Sequence, residues 1–231
     1  MIFAAGLGTR LQPWTFTKPK ALIEYNKTPL LELVILKLKH YGFSEIVINV
    51  HHFASQIEEF IAKNRKFGLD IIISDERDLL LDTGGGLKRA RTFLESNEPF
   101  LIYNVDILSK INLNDFYNFH IQSKSIATLA VQERKTSRSL VFDEENYLCS
   151  WKNNSTGEEK IARISEKTKK HFAFDGIHFV NPEIFQLIEE DGVFSIIDLY
   201  LRLAKNHKIS AFAENTFWLD MGRKKNFEIV F

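Results

Sequence analysis

Two glycines and two basic residues stand close together near the beginning of the chain, at Gly6, Gly8, Arg10 and Lys20. Glycine lets a backbone turn tightly and present its N–H groups to phosphate oxygens, because no Cβ stands in the way. Arginine can hold a phosphate with its planar guanidinium, and lysine adds a mobile point charge. No Gly-Lys-Ser/Thr follows, and Leu11 replaces the third glycine of a dinucleotide fingerprint. The spacing alone leaves phosphate binding and an ordinary strand-to-helix turn as equal alternatives.

Two aspartates have the chemistry of metal ligands. Asp106 follows an apolar run typical of a strand, and Asp220 lies in the segment Phe217–Gly222. Mg²⁺ prefers hard oxygen ligands, usually one or two carboxylates together with phosphate oxygens and water. The two residues are far apart in the sequence, so their spacing does not show that they meet. Each aspartate taken alone is more typical of a helix cap or a surface charge.

Apolar runs alternate with amphipathic segments along the first half of the chain, which predicts right-handed crossovers and a mainly parallel sheet. Ligands of such sheets bind outside the carboxyl ends of the strands, where the glycine turn and Asp106 both fall. Thr28 is expected to cap a helix that begins at Pro29 and ends at Gly42. The polar stretch 132–170 is expected to form an inserted β-hairpin region over the site. The other expected strands are 1–5, 45–50, 70–74, 99–105, 126–131, 172–180 and 208–212, and the other expected helices are 55–63, 87–94, 182–189 and 196–204.

Composition excludes several classes of protein. The 231 residues include 30 Lys plus Arg and 30 Asp plus Glu, which argues against nucleic-acid binding by bulk electrostatics. The only cysteine is Cys149, so an intramolecular disulfide and a cysteine-rich zinc site are excluded. The sequence has neither a signal-peptide pattern nor an apolar run long enough for a transmembrane helix. A cytoplasmic α/β enzyme or binding protein, without a nucleic-acid or membrane partner, is the expectation.

The string from Gly6 to Lys20 resembles the signature of the sugar-1-phosphate nucleotidyltransferases, also called nucleoside-diphosphate-sugar pyrophosphorylases. It matches every fixed position of the pattern G-x-G-T-R-L-x-P-x-T-x-x-x-P-K. The resemblance implies an α/β fold, namely a Rossmann-like three-layer sandwich with a mainly parallel mixed sheet. It also implies a Mg²⁺-dependent reaction, in which a nucleoside triphosphate and a sugar 1-phosphate give a nucleotide sugar and pyrophosphate.

The resemblance assigns catalytic roles to Arg10, Lys20 and Asp106, with the two cations neutralising phosphates. Three consecutive glycines at 84–86 are costly in conformational entropy, which favours a place where a flat ligand approaches bare backbone. In the resembled family this segment contacts the base. Some relatives read the base with a glutamine here, which this chain lacks, so backbone groups are expected to select it. The expected nucleotide contacts are Ala5, Gly6, Gly8, Thr9, Arg10, Lys20, Thr83, Gly84, Gly85 and Asn104.

The family's metal-binding motifs are Gly-Asp and Trp-x-Asp-x-Gly, and the resemblance places Mg²⁺ on Asp106 and Asp220. The second motif is matched fully, from Trp218 to Gly222, whereas Val105 stands where the first motif has glycine. That valine is a departure that would crowd the site and impair activity.

The resemblance also implies a lysine for the sugar phosphate, expected at Lys152, and a close approach of the sugar at Gly176. Gly176 is also consistent with a β-bulge, and Lys152 with a solvated surface lysine. Residues 47–60 and 81–86 are most similar to the N-acetylmuramate-1-phosphate uridylyltransferase branch. UTP with N-acetylmuramate 1-phosphate, or a related hexose 1-phosphate, is therefore the expected pair.

Three alternatives remain open: a GTP:mannose-1-phosphate guanylyltransferase, a CTP:phosphocholine-type cytidylyltransferase, and a non-catalytic regulator that binds a nucleotide sugar. Many relatives carry an added left-handed β-helix, and none follows Gly222 here. Residues 1–231 are therefore expected to form a single domain, as a monomer or a homodimer.

Overall fold

The structure is a computed structural model that describes residues 1–224 and 226. Helices cover both faces of a large sheet. Short 3₁₀ turns occupy Thr9–Leu11, Trp14–Phe16, Lys20–Leu22 and Arg65–Gly68. The α-helices are α1 (Leu30–His40), α2 (Ala54–Lys63), α3 (Asp82–Arg89), α4 (Arg91–Leu94), α5 (Leu113–Ser123), α6 (Ile184–Leu187) and α7 (Ile196–Leu203).

Within the described residues, the strands form one ten-stranded sheet and two small two-stranded ladders. The ladders are β2 (Glu24–Tyr25) with β3 (Thr28–Pro29), and β7 (Ile107–Ser109) with β14 (Trp218–Asp220). The large sheet contains β1 (Ile2–Phe3), β4 (Glu45–Val50), β5 (Asp70–Asp75), β6 (Phe100–Asn104), β8 (Ala127–Gln132), β9 (Arg138–Phe142), β10 (Leu148–Asn153), β11 (Glu159–Ile161), β12 (Lys170–Val180) and β13 (Ile209–Ala213).

The large sheet is parallel in one half and mostly antiparallel in the other. Strands β6, β1, β4 and β5 lie side by side in parallel, in that order. On the other side of β6, strand β12 pairs antiparallel with β6, β8 and β9, and β10 and β11 extend the antiparallel part. Strand β13 pairs in parallel with β8. The expected α/β class and mixed sheet are confirmed, with parallel pairing concentrated in the first hundred residues.

Alternating side chains of each strand supply two separate cores, one on each face of the sheet. In β6, Ile102 packs with the helices α3, α4, α6 and α7, whereas Leu101 and Tyr103 pack with α1, α2 and α5. This arrangement is a three-layer sandwich, as the resemblance implies. Within residues 1–224 and 226, none of the helices combines the length and the apolar character that a membrane span requires.

Several expected boundaries are wrong. Thr28 caps no helix, because it pairs with Tyr25 in the small β2–β3 ladder, and Pro29 precedes the helix at its N-cap. Helix α3 begins at Asp82 instead of Leu87, so the three glycines lie inside it. Its N-cap is Leu81, which makes no side-chain cap hydrogen bond. The stretch 132–170 does contain the expected antiparallel hairpins, β9 to β11.

Candidate active site

The glycine turn begins where β1 ends, at the carboxyl edge of the parallel strands. Gly8 has φ +66°, and a Cβ there would lie 2.8 Å from the Thr15 Cγ2 atom. The Thr15 hydroxyl donates to the Gly8 carbonyl oxygen at 2.9 Å, which closes the loop on itself. This position therefore requires glycine both for its backbone conformation and for its packing.

A small buried cluster joins this turn to the distant Asp220 segment. It consists of Leu11, Ile23, Leu30 and Met221. Because Met221 lies between Asp220 and Gly222, burying its side chain beside Leu11 brings the glycine turn against that segment. The β7–β14 ladder pairs Asp220 with Ile107, and the Met221 N–H donates to the Asp106 carbonyl oxygen at 2.8 Å. The two aspartates that are far apart in sequence are thus neighbours in the fold.

The two carboxylates and one guanidinium converge on Gly222. A Cβ added at Gly222 would collide with Asp106 Oδ2, and it would lie 2.9 Å from Asp220 Oδ1 and 3.1 Å from Arg10 Nη2. Lys20 Nζ lies 2.9 Å from Asp106 Oδ2, and Arg223 Nε lies 2.9 Å from Asp220 Oδ2. Only a residue without a side chain leaves this space open. Two acidic and three basic groups therefore share one small volume.

This donor set fits Mg²⁺. Asp106 and Asp220 offer two hard carboxylate oxygens around one point, and both residues are buried. The described part of the chain has no cluster of three or more His, Cys, Asp or Glu residues that could complete a cage. Mg²⁺ characteristically binds one or two carboxylates and completes its shell with substrate phosphates and water, so two carboxylates suffice. Bound there, the ion would have cationic neighbours in Arg10 and Lys20.

A cavity of about 480 Å³ opens on the turn side of this centre. Its apolar walls include Phe3, Leu80 and Val193. Seven of the sequence-predicted residues line it: Ala5, Gly6, Arg10, Lys20, Thr83, Asn104 and Asp106. The lining does not include Gly8 and Thr9, whose place is in the turn behind it. We call this space the smaller cavity.

The sequence analysis did not predict six of the residues that line the smaller cavity, and two of these, Asn49 and Glu76, are polar side chains hydrogen-bonded to each other. Asn49 Oδ1 accepts from the Ala4 N–H at 2.7 Å, and its Nδ2 donates to Glu76 Oε1 at 2.7 Å. The Leu81 N–H reaches Glu76 Oε2 at 3.3 Å. Burial raises the pKa of the Glu76 carboxyl above its usual range, while the hydrogen bond from Asn49 opposes that rise. Both residues stand at the carboxyl ends of parallel strands, which is the signal that could have identified them.

The three glycines of α3 serve packing within the protein. A Cβ at Gly84 would overlap the Phe194 ring, and one at Gly85 would overlap the Gly192 carbonyl oxygen. The N–H groups of Gly84 and Gly85 both donate to the Phe194 carbonyl oxygen, at 2.9 and 3.3 Å. Neither glycine is among the residues that line the smaller cavity. The geometry therefore explains these glycines without a base, and Thr83 is the residue of this segment that faces the smaller cavity.

A second cavity, of about 900 Å³, adjoins the first and shares Arg10, Asp82, Asn104 and Asp106 with it. We call it the larger cavity. Gly176 lines it, with φ +75°, at an irregularity in the β8–β12 ladder. A Cβ at Gly176 would lie 2.6 Å from Asn104 Nδ2, so both the bulge and the close approach require glycine. Lys152 does not line this cavity, although its neighbour Trp151 does.

The larger cavity also contains an ion pair that the sequence analysis missed. Arg134 Nη2 lies 3.2 Å from Asp175 Oδ1, and its guanidinium lies 3.5 Å above the centre of the Trp218 ring. The Trp218 indole N–H donates to the Asp175 carbonyl oxygen at 3.0 Å. Burial raises the pKa of Asp175 to about 7, and the neighbouring Arg134 only partly opposes this.

Val105, the departure from the family pattern, does not crowd the site. Its side chain is fully buried in the core that packs against α1, α2 and α5. Its N–H donates to the Phe3 carbonyl oxygen at 3.2 Å, which continues the pairing of β6 with β1. It lines neither cavity. The valine therefore contributes to packing on the far side of the backbone.

Comparison with known proteins gives a consistent result. The sequence model of the Nucleotidyl transferase family matches residues 1–230. The N-acetylmuramate alpha-1-phosphate uridylyltransferase of Neisseria meningitidis is 30% identical, over 96% of this chain and 92% of that protein. The mannose-1-phosphate guanyltransferase of Saccharomyces cerevisiae is 29% identical, over 98% of this chain. The chain spans only about three-fifths of the length of such guanylyltransferases, 62% in the yeast protein.

Solved structures share the fold. The UDP-glucose pyrophosphorylase from Acinetobacter baumanii superposes with a TM-score of 0.79 at 16% identity, over 99% of this chain and 90% of that one. The inositol-1-phosphate CTP transferase from T. maritima gives a TM-score of 0.72 at 18% identity, over 97% and 89%. At these identities the likeness concerns the fold alone.

Proposed function

Because the chain belongs to the nucleotidyl transferase family, which confirms the resemblance seen in its sequence, we propose that it is a Mg²⁺-dependent sugar-1-phosphate nucleotidyltransferase. The observation that carries this proposal is the junction of the two cavities. Asp106, Asp220, Arg10 and Lys20 meet there, between a smaller cavity for the nucleotide and a larger one for the sugar phosphate.

The proposed reaction is an in-line displacement at phosphorus. A phosphate oxygen of the sugar 1-phosphate forms a bond to the α-phosphorus of the nucleoside triphosphate. The bond from that phosphorus to the oxygen bridging to the β-phosphate breaks, and pyrophosphate leaves with the electron pair. The attacking oxygen is already anionic, so no general base is required. Catalysis then consists of positioning and charge neutralisation.

The residues of the junction have distinct roles in this proposal. Arg10 and Lys20 hold the triphosphate, and their charges offset those that develop on the leaving pyrophosphate. Asp106 and Asp220 hold the Mg²⁺, which acts as a Lewis acid on phosphate oxygens when bound. The Lys20–Asp106 ion pair keeps the lysine at the junction before the nucleotide arrives. Thr83, Asn49 and the apolar walls of the smaller cavity enclose the base.

Two substrate pairs have specific support. UTP with N-acetylmuramate 1-phosphate, or a related hexose 1-phosphate, is favoured by the relative from Neisseria meningitidis, since the alignment covers 92% of that protein. GTP with mannose 1-phosphate is the second candidate, supported by the yeast relative at similar identity. The alternative of a non-catalytic regulator depended on Val105 crowding the site. The Val105 side chain is buried in the core instead, so this reason for the alternative no longer applies.

The test is pyrophosphate release in the presence of Mg²⁺. UTP, GTP, CTP, dTTP and ATP are each combined with N-acetylmuramate, N-acetylglucosamine, glucose and mannose 1-phosphates. We expect release with one base and a narrow set of sugars, and a loss of about 10²–10³-fold in Asp106→Asn, by analogy with removal of one transition-state-stabilising group. Circular dichroism of the variant confirms that it folds. Full turnover in Asp106→Asn would refute the metal assignment. If the wild type released no pyrophosphate with any combination of nucleotide and sugar 1-phosphate, the proposed activity would be refuted.

A further inference from the structure

Arg134 is held in place from three directions in the wall of the larger cavity. Its Nε and Nη2 atoms donate to Asp175 Oδ1 at 3.4 and 3.2 Å, and Nη2 also donates to the Phe174 carbonyl oxygen at 2.8 Å. The Trp218 ring supports the flat face of the guanidinium at 3.5 Å. The Arg134 side chain is only 19% exposed and that of Asp175 only 5%. A guanidinium fixed in this way loses little conformational freedom when it binds a ligand.

The contacts of Arg134 leave part of its donor capacity unused. A guanidinium carries five N–H donors in a planar fork. Within residues 1–224 and 226, the hydrogen bonds of Arg134 start from Nε and Nη2, and none starts from Nη1. Since Arg134 lines the larger cavity, the remaining donors are available to an acceptor there. The ion pair with Asp175 therefore orients the guanidinium without saturating it.

The position of Arg134 relates it to the proposed metal centre. Trp218 and Asp220 are two residues apart on β14, so their side chains lie on the same face of that strand. The guanidinium stacked on Trp218 consequently stands on the side of the strand that carries the Asp220 carboxylate. Charge interactions with Asp220 and with Arg223 both act on Arg134. Arg134, Trp218 and Asp220 all line the larger cavity.

The other cations lining the larger cavity are more exposed than Arg134, as are Lys160 at 49% and Arg223 at 37%, or belong to the proposed triphosphate site. Lys160 forms an ion pair with Asp198 at 2.8 Å, and Arg223 forms one with Asp220 at 2.9 Å. Arg10 also lines the smaller cavity, where the triphosphate is proposed to bind. Arg138 is exposed. Of this set, Arg134 combines burial, fixed orientation and unused donors.

We propose that Arg134 binds the phosphate group of the acceptor, a phosphate monoester, and orients its oxygen for attack, while Asp175 and Trp218 act as positioning residues for the guanidinium. This inference rests on the function proposed above, because it places the nucleoside triphosphate in the smaller cavity and the phosphate group of the acceptor in the larger one. The arginine replaces Lys152, which the sequence analysis expected in this role but which does not reach the larger cavity.

Substitution of Arg134 tests the assignment through two separate affinities. In Arg134→Gln we expect the KM and the Kd for a sugar 1-phosphate to rise about 10- to 100-fold, because a charge-assisted hydrogen-bond pair to the phosphate is lost. The KM and Kd for the nucleoside triphosphate should stay within about 2-fold of wild type. Arg134→Lys keeps the charge without the planar fork, so its affinity should be intermediate. Arg91→Gln is the matched control, because Arg91 is ion-paired with Glu95 at 2.8 Å but lines neither cavity, and both of its affinities should be unchanged.

Binding is measured by titration calorimetry as well as by kinetics, so the result does not depend on turnover. The probes are the four sugar 1-phosphates named above and the corresponding free sugars, and unfolding curves establish that each variant folds. Trp218→Phe should retain the affinity and Trp218→Leu should weaken it, because only the first keeps an aromatic support.

If the wild type binds the sugar 1-phosphates more tightly than the free sugars but releases no pyrophosphate, the proposed function is refuted. The assignment of Arg134 to phosphate binding would then still stand. The assignment is overturned if Arg134→Gln binds the sugar phosphates as wild type does, if its affinity for the nucleoside triphosphate falls equally, or if the wild type binds none of the four monoesters.

Discussion

The two cavities differ in what forms their walls. The smaller cavity is bounded by the glycine turn, by apolar side chains and by the fixed Asn49–Glu76 pair. The larger cavity is bounded by charged side chains held in ion pairs, such as Arg134 with Asp175 and Lys160 with Asp198. Where backbone forms the wall, the shape of a cavity changes only when the path of the chain changes. Where paired side chains form the wall, a single substitution can change the shape and the charge of the cavity. If the acceptor binds in the larger cavity, as proposed, single substitutions there can change which acceptor is bound.

The junction between the cavities belongs to both, so a change there should have the largest effect. Gly222→Ala places a methyl group against Asp106, Asp220 and Arg10. We expect turnover to fall about 10²–10³-fold, as when one transition-state-stabilising group is removed, whichever substrate is limiting. Steady-state kinetics measures this loss. Gly157→Ala is the control for backbone strain alone, since Gly157 is exposed with φ +79° and a Cβ there meets nothing within 4 Å. Equal activity of the two variants would contradict the crowded geometry at Gly222.

A change behind the wall of the smaller cavity should act on stability first. Gly84→Ala forces a Cβ into the Phe194 ring, and overpacking of this kind costs about 1–3 kcal/mol of the free energy of unfolding. Denaturant unfolding measures the loss. Phe194→Leu in the same chain should recover part of it, because the smaller side chain releases space and the two substitutions are coupled. Strict additivity of the two single changes would show that the glycine is not kept by this contact.

Substitution of Asp175, in the wall of the larger cavity, should change how the stability of the protein depends on pH. The folded-state pKa of Asp175 is raised to about 7 from an ordinary value of 3.8, so its contribution to stability is complete below pH 3.8 and is lost as the pH rises through 7. Asp175→Asn does not titrate. The melting temperature of wild type relative to this variant should therefore fall between about pH 4 and pH 7 and level off above that.

Asp78→Asn is the control for that titration, because Asp78 is an exposed residue whose pKa is lowered by its hydrogen bond from Arg89. The melting temperature of the wild type relative to Asp78→Asn should not fall over the same pH range. A flat difference for Asp175→Asn would show that this carboxyl is ionised normally.

The smallest effect is expected at Lys152. The residue lies on β10 next to Trp151, but it lines neither cavity. Lys152→Ala should leave the KM for the sugar 1-phosphate within about 2-fold of wild type, as for most surface substitutions. Lys20→Ala is the matched lysine at the junction and should lower turnover strongly. A large rise in that KM for Lys152→Ala would restore the role that the sequence analysis gave it.

The difference between the cavities also explains what could be read from the sequence. The glycine turn is one continuous string, so its pattern predicts both the family and the place of Arg10 and Lys20. The strand Phe100–Asn104 likewise points to Asp106 by ending at the carboxyl edge of a parallel sheet. These residues could be predicted because residues that are close in the sequence are also close in the site.

The larger cavity could not be predicted in this way. Arg134, Asp175 and Trp218 come from three separate segments, and only the antiparallel register of β12 with β8 and β9 brings the first two together. The packing contacts of Gly84 and Gly85 could not be predicted from the sequence either. Their partners, Phe194 and Gly192, are about a hundred positions away in the sequence, so the sequence alone does not show that packing requires glycine there.

The most direct test of the account is a crystal structure with Mn²⁺ and a non-hydrolysable analogue of the preferred nucleoside triphosphate, with anomalous scattering to locate the metal. The account predicts the base in the smaller cavity, the phosphates against Arg10 and Lys20, and one metal bound to an oxygen of Asp106 and an oxygen of Asp220. A base bound in the larger cavity, or a metal that touches neither aspartate, would contradict the division of the site into two substrate cavities joined at these residues.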